Sequence, residues 1–136
     1  MSKKANTRYR YYLACAMAIA CIVALGLGSK AYSGWNRAWV NNFLGDILYE
    51  MAWIWFVGAI KPRWKVSAIA IATFLITSLI EFSQLIAFPD SWKAQLWWRL
   101  LLGTHFTWID FIYYAIGCAV GAASLLWLKA RLDLVA

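Results

Sequence analysis

Three carboxylic acids lie inside or beside strongly apolar segments, where charged side chains are rare. Glu81 is the one acidic or basic residue within residues 66–88, and Asp46 and Asp110 stand near the starts of two other apolar segments. A carboxylate at the depth of the lipid tails costs on the order of 3 kcal/mol unless it is protonated, paired or in contact with water. Such acids therefore indicate a site for chemistry, or else polar pairs that hold helices together.

The chemistry that these residue types could perform is the attack of water or an alcohol on a phosphoester. Glu81, held in an apolar environment, would act as the base, and Arg99 and Arg37 would neutralise the phosphate. Alternatively, Asp46, Glu81 and Asp110 would hold a divalent cation that bridges the phosphate, because such ions prefer oxygen ligands. The sequence leaves both mechanisms open, so the cofactor is unknown and a divalent cation is one option.

Polar side chains recur at helical spacing along the segment that contains Glu81, which predicts one polar face on an otherwise apolar helix. A helix with such a face must pack it against other helices, because lipid offers the polar groups no partners. The rest of the chain is therefore expected to supply those partners. The residues of this face are Thr73, Thr77, Ser78, Glu81 and Gln84.

The composition of the chain predicts an all-α membrane protein. Hydrophobic residues make up 64% of the 136 residues and charged residues 14%, against about 25% charged in soluble domains, and the mean hydropathy is +0.62. We expect one polytopic domain, residues 1–136, with four transmembrane helices and a short interfacial or re-entrant helix between the third and the fourth. The predicted spans are 11–28, 43–60, 66–88 and 108–129, with Asn42 as the cap of the second, and the interfacial helix covers about 91–102.

The basic residues predict how the chain is oriented. Nine of the 13 Lys and Arg residues lie in the N-terminus, the 61–65 turn and the C-terminal tail, and four lie in the two other loops. By the positive-inside rule, we expect the protein in the cell membrane with both termini and that turn cytoplasmic. The net charge of +7 does not indicate a nucleic-acid partner, because the basic residues separate the apolar segments instead of forming one patch.

With this orientation, rare polar residues from distant parts of the chain lie at one depth, on the outer side. The sequence therefore predicts one outward-opening pocket. Structural explanations stay open: Asp46 and Asp110 could cap helices. Gln84 could hydrogen-bond across helices, and Arg99 could reach the head groups. The candidate catalytic residues are Glu81, Asp46 and Asp110, and the candidate binding residues are Arg99, Gln84, Tyr114, His105 and Arg37.

Small residues mark two faces on which helices could pack closely. Gly117 and Gly121 form a G-x-x-x-G motif in the fourth span. In the first span, small residues repeat every four positions, and we expect that face to meet another span. The residues of this small-residue face are Ala16, Ala20, Ala24 and Gly28.

Three motifs follow one another in the chain. They are N-x-x-G-D-x-L-Y from Asn42, I-E-F-x-Q-L from Ile80 and R-x-x-x-G-x-x-F-x-W-x-D-x-x-x-Y-x-x-G from Arg99. Taken in this order, they resemble a family of small bacterial integral membrane proteins of unknown function. That family is in turn similar to the VanZ-like proteins, which are named after a glycopeptide-antibiotic resistance factor. The resemblance covers about residues 42–117 and leaves the first span outside.

The VanZ-like group has been proposed to belong with enzymes that act on lipid head groups, so the resemblance implies a lipid or polyprenol-linked substrate at the outer leaflet. Two other functions stay open. One is a small proton-coupled transporter with Glu81 as its titrating group, although the inner half of the third span lacks the polar residues that a path would need. The other is a structural or sensory subunit without catalysis. The substrate, the presence of enzymatic activity and the oligomeric state remain open, and the bilayer is the expected partner.

Overall fold

The structure of the chain, a computed structural model, describes residues 3–86, 89–97 and 107–134. Four helices are long and apolar enough to cross a membrane, as the composition predicts. Within the described residues the chain forms helices and no strand. The helices are α1 (Lys3–Ala31), α2 (Arg37–Trp39), α3 (Gly45–Ile60), α4 (Val66–Ser83), α5 (Asp90–Lys93) and α6 (Asp110–Arg131), and a π-helical turn, Val40–Leu44, joins α2 to α3.

The second span begins earlier than the sequence predicts. α2, the π-helical turn and α3 form one apolar segment, Arg37–Ile60, which is 24 residues long. Asn42 lies inside the π-helical turn and is exposed, so it does not cap the span. Asn36, with a φ of 54°, precedes the segment instead. The wide turn of a π-helix carries the chain past the two asparagines without a break. At the other end, Pro62 prevents the helix from continuing beyond Ile60.

The third span is shorter than predicted. α4 ends at Ser83, and the next residues turn through hydrogen bonds between residues three apart, from Gln84 N to Glu81 O and from Ile86 N to Ser83 O. Such bonds tighten and close a helix end. Glu81 therefore lies in the last turn of α4, and not two thirds of the way along a longer helix.

The helix between the third and fourth spans is described only in part. α5 covers four residues, Asp90–Lys93. The later portion of the predicted interfacial helix, residues 98–102, lies outside the described residues. The fourth span, in contrast, agrees with the prediction of 108–129 to within two residues at each end.

The bundle is built around α3, which packs against α1, α4 and α6, and α4 also packs against α6. The closest approach is between α3 and α6, at the predicted G-x-x-x-G motif. A Cβ atom on Gly117 would lie 2.6 Å from the carbonyl oxygen of Ile47, and one on Gly121 would lie 3.1 Å from Cα of Met51. Only glycine permits this separation, so the motif allows close packing on another helix, as its spacing predicts, and that helix is α3.

α1 packs on α3 with a different face from the one that its small residues suggest. Tyr11, Cys15 and Ile22 are buried, and the hydroxyl of Tyr11 donates to the carbonyl of Gly58 at 2.8 Å. A buried hydroxyl needs such a partner, and this bond fixes the rotation of α1 about its axis. The expectation that the small-residue face meets another span of this chain is therefore wrong. Its four members, Ala16, Ala20, Ala24 and Gly28, are all exposed.

The helix ends form two distinct poles of the bundle. At one pole, which we call the basic pole, the beginning of α1, the 61–65 turn and the end of α6 meet. The ammonium group of Lys129 donates there to the carbonyl oxygens of Pro62 (2.9 Å) and Trp64 (3.1 Å). At the opposite pole lie the end of α1, the beginning of α3, the end of α4 and the beginning of α6. This arrangement is the one that four antiparallel spans require, and its orientation in the membrane stays a prediction.

Candidate functional site

Four acidic residues lie on the mutually packed helices α3, α4 and α6, between mid-span and the pole opposite the basic one. Asp46 and Glu50 lie on α3, Glu81 on α4 and Asp110 on α6. Asp46 is half-buried and interacts electrostatically with the three others, whose exposed fractions are 0% for Glu50, 3% for Glu81 and 8% for Asp110. We call these four residues the carboxyl cluster. It contains the three acids predicted as catalytic residues, together with Glu50, which the sequence suggests only as a polar residue at the membrane interface.

Glu81 is held from two helices. The hydroxyl of Tyr114, on α6, and the side-chain amide of Gln84 each donate to its Oε2 atom at 2.9 Å, and the backbone of Thr107 lies near the carboxyl group. The Oε1 atom is buried and has no hydrogen-bond partner among the described residues. A buried acceptor without a donor costs roughly 1–3 kcal/mol. Glu81 therefore carries one fixed oxygen and one oxygen that is available to a donor from outside the described residues.

Asp110 is buried at the start of α6. The hydroxyl of Thr107 donates to its Oδ2 atom, and its own backbone N–H donates to the carbonyl of Thr107 at 3.2 Å. A carboxylate in the first turn of a helix is favoured by the helix dipole, so a local structural role for Asp110 is consistent with this geometry. Its electrostatic contact with Asp46 and Glu81 nevertheless makes it part of the cluster.

The capping explanation fails for Asp46. Although α3 begins formally at Gly45, the residue before it, Leu44, has helical backbone angles because the π-helical turn continues directly into α3. The backbone N–H groups near Asp46 therefore do not stand at a free helix end, where a carboxylate would be needed to accept from them.

Glu50 lies deeper than the other acids, at the middle of its span. It is about 20 Å from Arg37 along the helix axis, and Thr77 and Cys118 stand at similar mid-span positions on α4 and α6. The thiol of Cys118 donates to Oε2 of Glu50 at 3.1 Å, and the hydroxyl of Thr77 also interacts with this carboxyl group. The sequence contained the signal for Glu50, since it is the one acidic or basic residue between Asp46 and Lys61.

The polar face of α4 connects the two levels of the site. As predicted, its side chains are turned into the bundle, where Thr73, Thr77 and Ser78 are 5–8% exposed. Thr77 donates back to the carbonyl of Thr73 at 3.0 Å, and its hydroxyl also lies beside the carboxyl group of Glu50. The hydroxyl of Ser78 has no partner in the described part of the chain. Together with Glu81, these residues line a polar column that descends from the helix ends to Glu50.

The neighbouring tyrosines of α6 have different surroundings. Tyr114 faces Glu81, whereas Tyr113 accepts a hydrogen bond from the indole of Trp39 at 3.0 Å and stacks on Phe43 with ring centroids 4.4 Å apart. Tyr113 thus holds the beginning of the second span against α6, whereas Tyr114 donates a hydrogen bond to Glu81 of the carboxyl cluster.

The described part of the chain places none of the predicted cationic residues at the carboxyl cluster. Arg37 is exposed at the first residue of α2, and the contacts of the four acids do not include it. Arg99 and His105 lie outside the described residues. Lys30, which the sequence did not single out, interacts electrostatically with Asp46 and donates to the carbonyl of Asn41 at 2.6 Å.

The carboxyl cluster does not supply a complete set of metal ligands by itself. Among the described residues, no three His, Cys, Asp or Glu side chains lie close enough together to hold a metal ion. The alternative in which Asp46, Glu81 and Asp110 jointly chelate a divalent cation therefore lacks its ligand geometry in this part of the chain.

Four apolar helices packed around buried acids define the chain as a polytopic helical protein of the membrane type. Residues 35–118 match a family described as "Protein of unknown function (DUF2809)". Because the match covers more than half of the chain, the protein belongs to this family, which confirms the predicted resemblance to a family of unknown function. The matched region contains the whole carboxyl cluster and omits α1. No solved structure matches the chain.

Proposed function

We propose that the carboxyl cluster binds the polar head of a membrane lipid and promotes phosphoester chemistry on it. The observation that carries this proposal is the state of Glu81. It is 3% exposed, Tyr114 and Gln84 fix one of its oxygens, and the other has no partner among the described residues. A buried carboxylate positioned in this way is poised to accept a proton.

In the proposed reaction, Glu81 accepts the proton of a water molecule or an alcohol as its oxygen forms a bond to the phosphorus. The bond from phosphorus to the leaving alcohol breaks, and the proton passes to that alcohol. Tyr114 and Gln84 orient Glu81, while Asp46 and Asp110 contact the donor groups of the head group. Arg99, His105 and Arg37 are the proposed phosphate-binding residues, an assignment that depends on the sequence alone.

The charge of the cluster suggests which head groups fit. Among the described residues, four acids and one interacting lysine would repel a bare phosphate, so the head group must present hydroxyl or amine donors toward Glu81. Its phosphate would then be bound by the predicted cations, Arg99, His105 and Arg37. The likeness to VanZ-like proteins is consistent with such a substrate and remains part of the proposal.

A proton-coupled transporter is the second candidate, because Glu50 places an acid at mid-span. Apolar side chains argue against a continuous path, however. Ile54, Ile69 and Leu125 are 0% exposed and follow the Glu50 level toward the basic pole on α3, α4 and α6. These buried aliphatic side chains offer no polar groups to which a chain of water could hydrogen-bond on the way to the basic pole.

The proposal is tested by incubating the reconstituted protein with phospholipids and polyprenyl phosphates and following phosphoester products by ³¹P NMR. Glu81→Gln keeps the size and hydrogen bonding of the side chain but cannot act as a base, so we expect normal insertion and a loss of activity of at least 100-fold. Asp133→Asn is the control, since Asp133 is exposed, far along the chain from the cluster, and its φ of 52° suits asparagine. Equal activity of Glu81→Gln and the unaltered protein would refute the role of Glu81.

A further inference from the structure

A large basic cavity occupies the pole opposite the carboxyl cluster. It has a volume of about 940 Å³, and none of the described residues that line it is acidic. Aromatic side chains, including Tyr12 and Trp64, stand beside the cations. The five basic residues that line it are Arg8, Lys61, Arg63, Lys65 and Lys129.

The basic composition alone is explained by membrane orientation, but two features of the cavity are not. The first is Lys129, a charged residue that is 5% exposed. Its ammonium group donates to the carbonyls of Pro62 and Trp64, and an ammonium has three N–H donors. A buried cation at the wall of a cavity has a defined position, whereas a lysine on the surface is free to move in solvent.

The second feature is the N-terminus of α4. This helix is 18 residues long, has no acidic residue in its first turn and has no side-chain cap. Its first residue, Val66, lines the cavity. The free N–H groups and the positive end of the helix dipole therefore favour an anion at this position.

We propose that this cavity binds the phosphate group of an anionic ligand, as a site separate from the carboxyl cluster. Arg63 and Lys65 supply exposed charges, Lys129 supplies a buried one, and α4 supplies backbone donors. The shared chemistry is a phosphate ester, which could belong to a lipid head group in the adjacent leaflet or to a soluble compound. The aromatic side chains beside the cations match the head-group level of a bilayer.

Native mass spectrometry of the purified full chain measures this binding directly. The probes are dihexanoyl phosphatidylglycerol, dihexanoyl phosphatidylcholine and inorganic phosphate, each titrated separately. We expect phosphatidylglycerol to bind more tightly than phosphatidylcholine, and we expect its affinity to fall as the salt concentration rises. The double variant Arg63→Gln, Lys65→Gln should lose about 30-fold in affinity for phosphatidylglycerol. Both positions are exposed, so the variant should fold.

Arg131→Gln is the matched control, because Arg131 is exposed near the same pole but does not line the cavity. Its affinity should stay within about twofold of the unaltered protein. Binding of inorganic phosphate that depends on Arg63 and Lys65 would identify a soluble phosphate ester as the ligand class, and binding of phosphatidylglycerol alone would identify a lipid. Equal affinities for phosphatidylglycerol and phosphatidylcholine without phosphate binding, or equal losses in the double variant and the control, would overturn the proposal.

Discussion

The same substitution, glycine to alanine, should have opposite effects on stability at Gly117 and at Gly28. A methyl group at Gly117 would lie 2.6 Å from the carbonyl oxygen of Ile47 and 2.7 Å from Cβ of Glu50. Normal contact requires about 3.5 Å, so α6 and α3 must separate by nearly 1 Å. Overpacking of this kind costs roughly 1–3 kcal/mol. At Gly28 nothing lies within 4 Å of the added methyl group, and alanine should stabilise the helix by about 0.5 kcal/mol.

The free energy of unfolding of both variants can be measured in mixed micelles by titration with a denaturing detergent, with far-UV circular dichroism as the signal. We expect Gly117→Ala to unfold at lower detergent fractions than the unaltered protein and Gly28→Ala at equal or higher fractions. If Gly117→Ala were as stable as Gly28→Ala, the close contact between α3 and α6 would not exist, and the position of Glu50 against Cys118 would be unfounded.

Three further predictions concern the basic pole, α1 and the membrane orientation. Lys129→Met should destabilise the protein by about 3 kcal/mol, because it removes two charge-assisted hydrogen bonds to the 61–65 turn. The control, Arg131→Met, should change thermal stability little. Equal effects of the two substitutions would mean that Lys129 does not hold the turn against α6. Ala20→Leu should alter the unfolding free energy by less than about 0.5 kcal/mol, since Ala20 is exposed. A large loss of stability would mean that the small-residue face of α1 is covered, for example by a second copy of the chain. Reporter fusions after Lys65 and at the C-terminus should read cytoplasmic and one after Ser91 external, and an external C-terminus would contradict the four-span topology.

Much of the bundle could be predicted because lipid imposes strict rules on the sequence. An apolar segment with one polar face must turn that face inward, and this predicted the burial of Thr73, Thr77 and Glu81. Close packing of α6 on another helix was predictable from Gly117 and Gly121, because their spacing has few other uses in a membrane helix, but the identity of that helix, α3, was not.

The sequence suggests an interface residue at Glu50, and not a member of the site, because the predicted start of the second span is too late. With a span of 43–60, Glu50 lies about 10 Å from the helix start, close to the level of the head groups. The π-helical turn moves the start back to Arg37, and the same residue then lies at mid-span. Wide turns of this kind have no reliable sequence signal, so the depth of Glu50 required the structure.

The rotation of α1 about its own axis could not be predicted from the sequence either. Both its small-residue face and its face with Tyr11 and Cys15 are compatible with packing, and the choice depends on whether the hydroxyl of Tyr11 finds an acceptor. That acceptor is the carbonyl of Gly58, a backbone atom that carries no signature in the sequence. The sequence assigns Lys129 a role in membrane orientation alone. Its role in holding the 61–65 turn could not be predicted, because its acceptors are backbone carbonyl groups of that turn.

Crosslinking from the lipid head group tests the central claim, that the carboxyl cluster binds such a head, most directly. A phospholipid with a diazirine on its head group is irradiated with the reconstituted protein, and the modified residues are identified by mass spectrometry. We predict modification within 78–86 and 107–118, the segments around Glu81 and Tyr114, and a marked decrease there in Glu81→Gln. Head-group modification confined to lipid-facing positions and the basic pole, with none in these two segments, would contradict the claim.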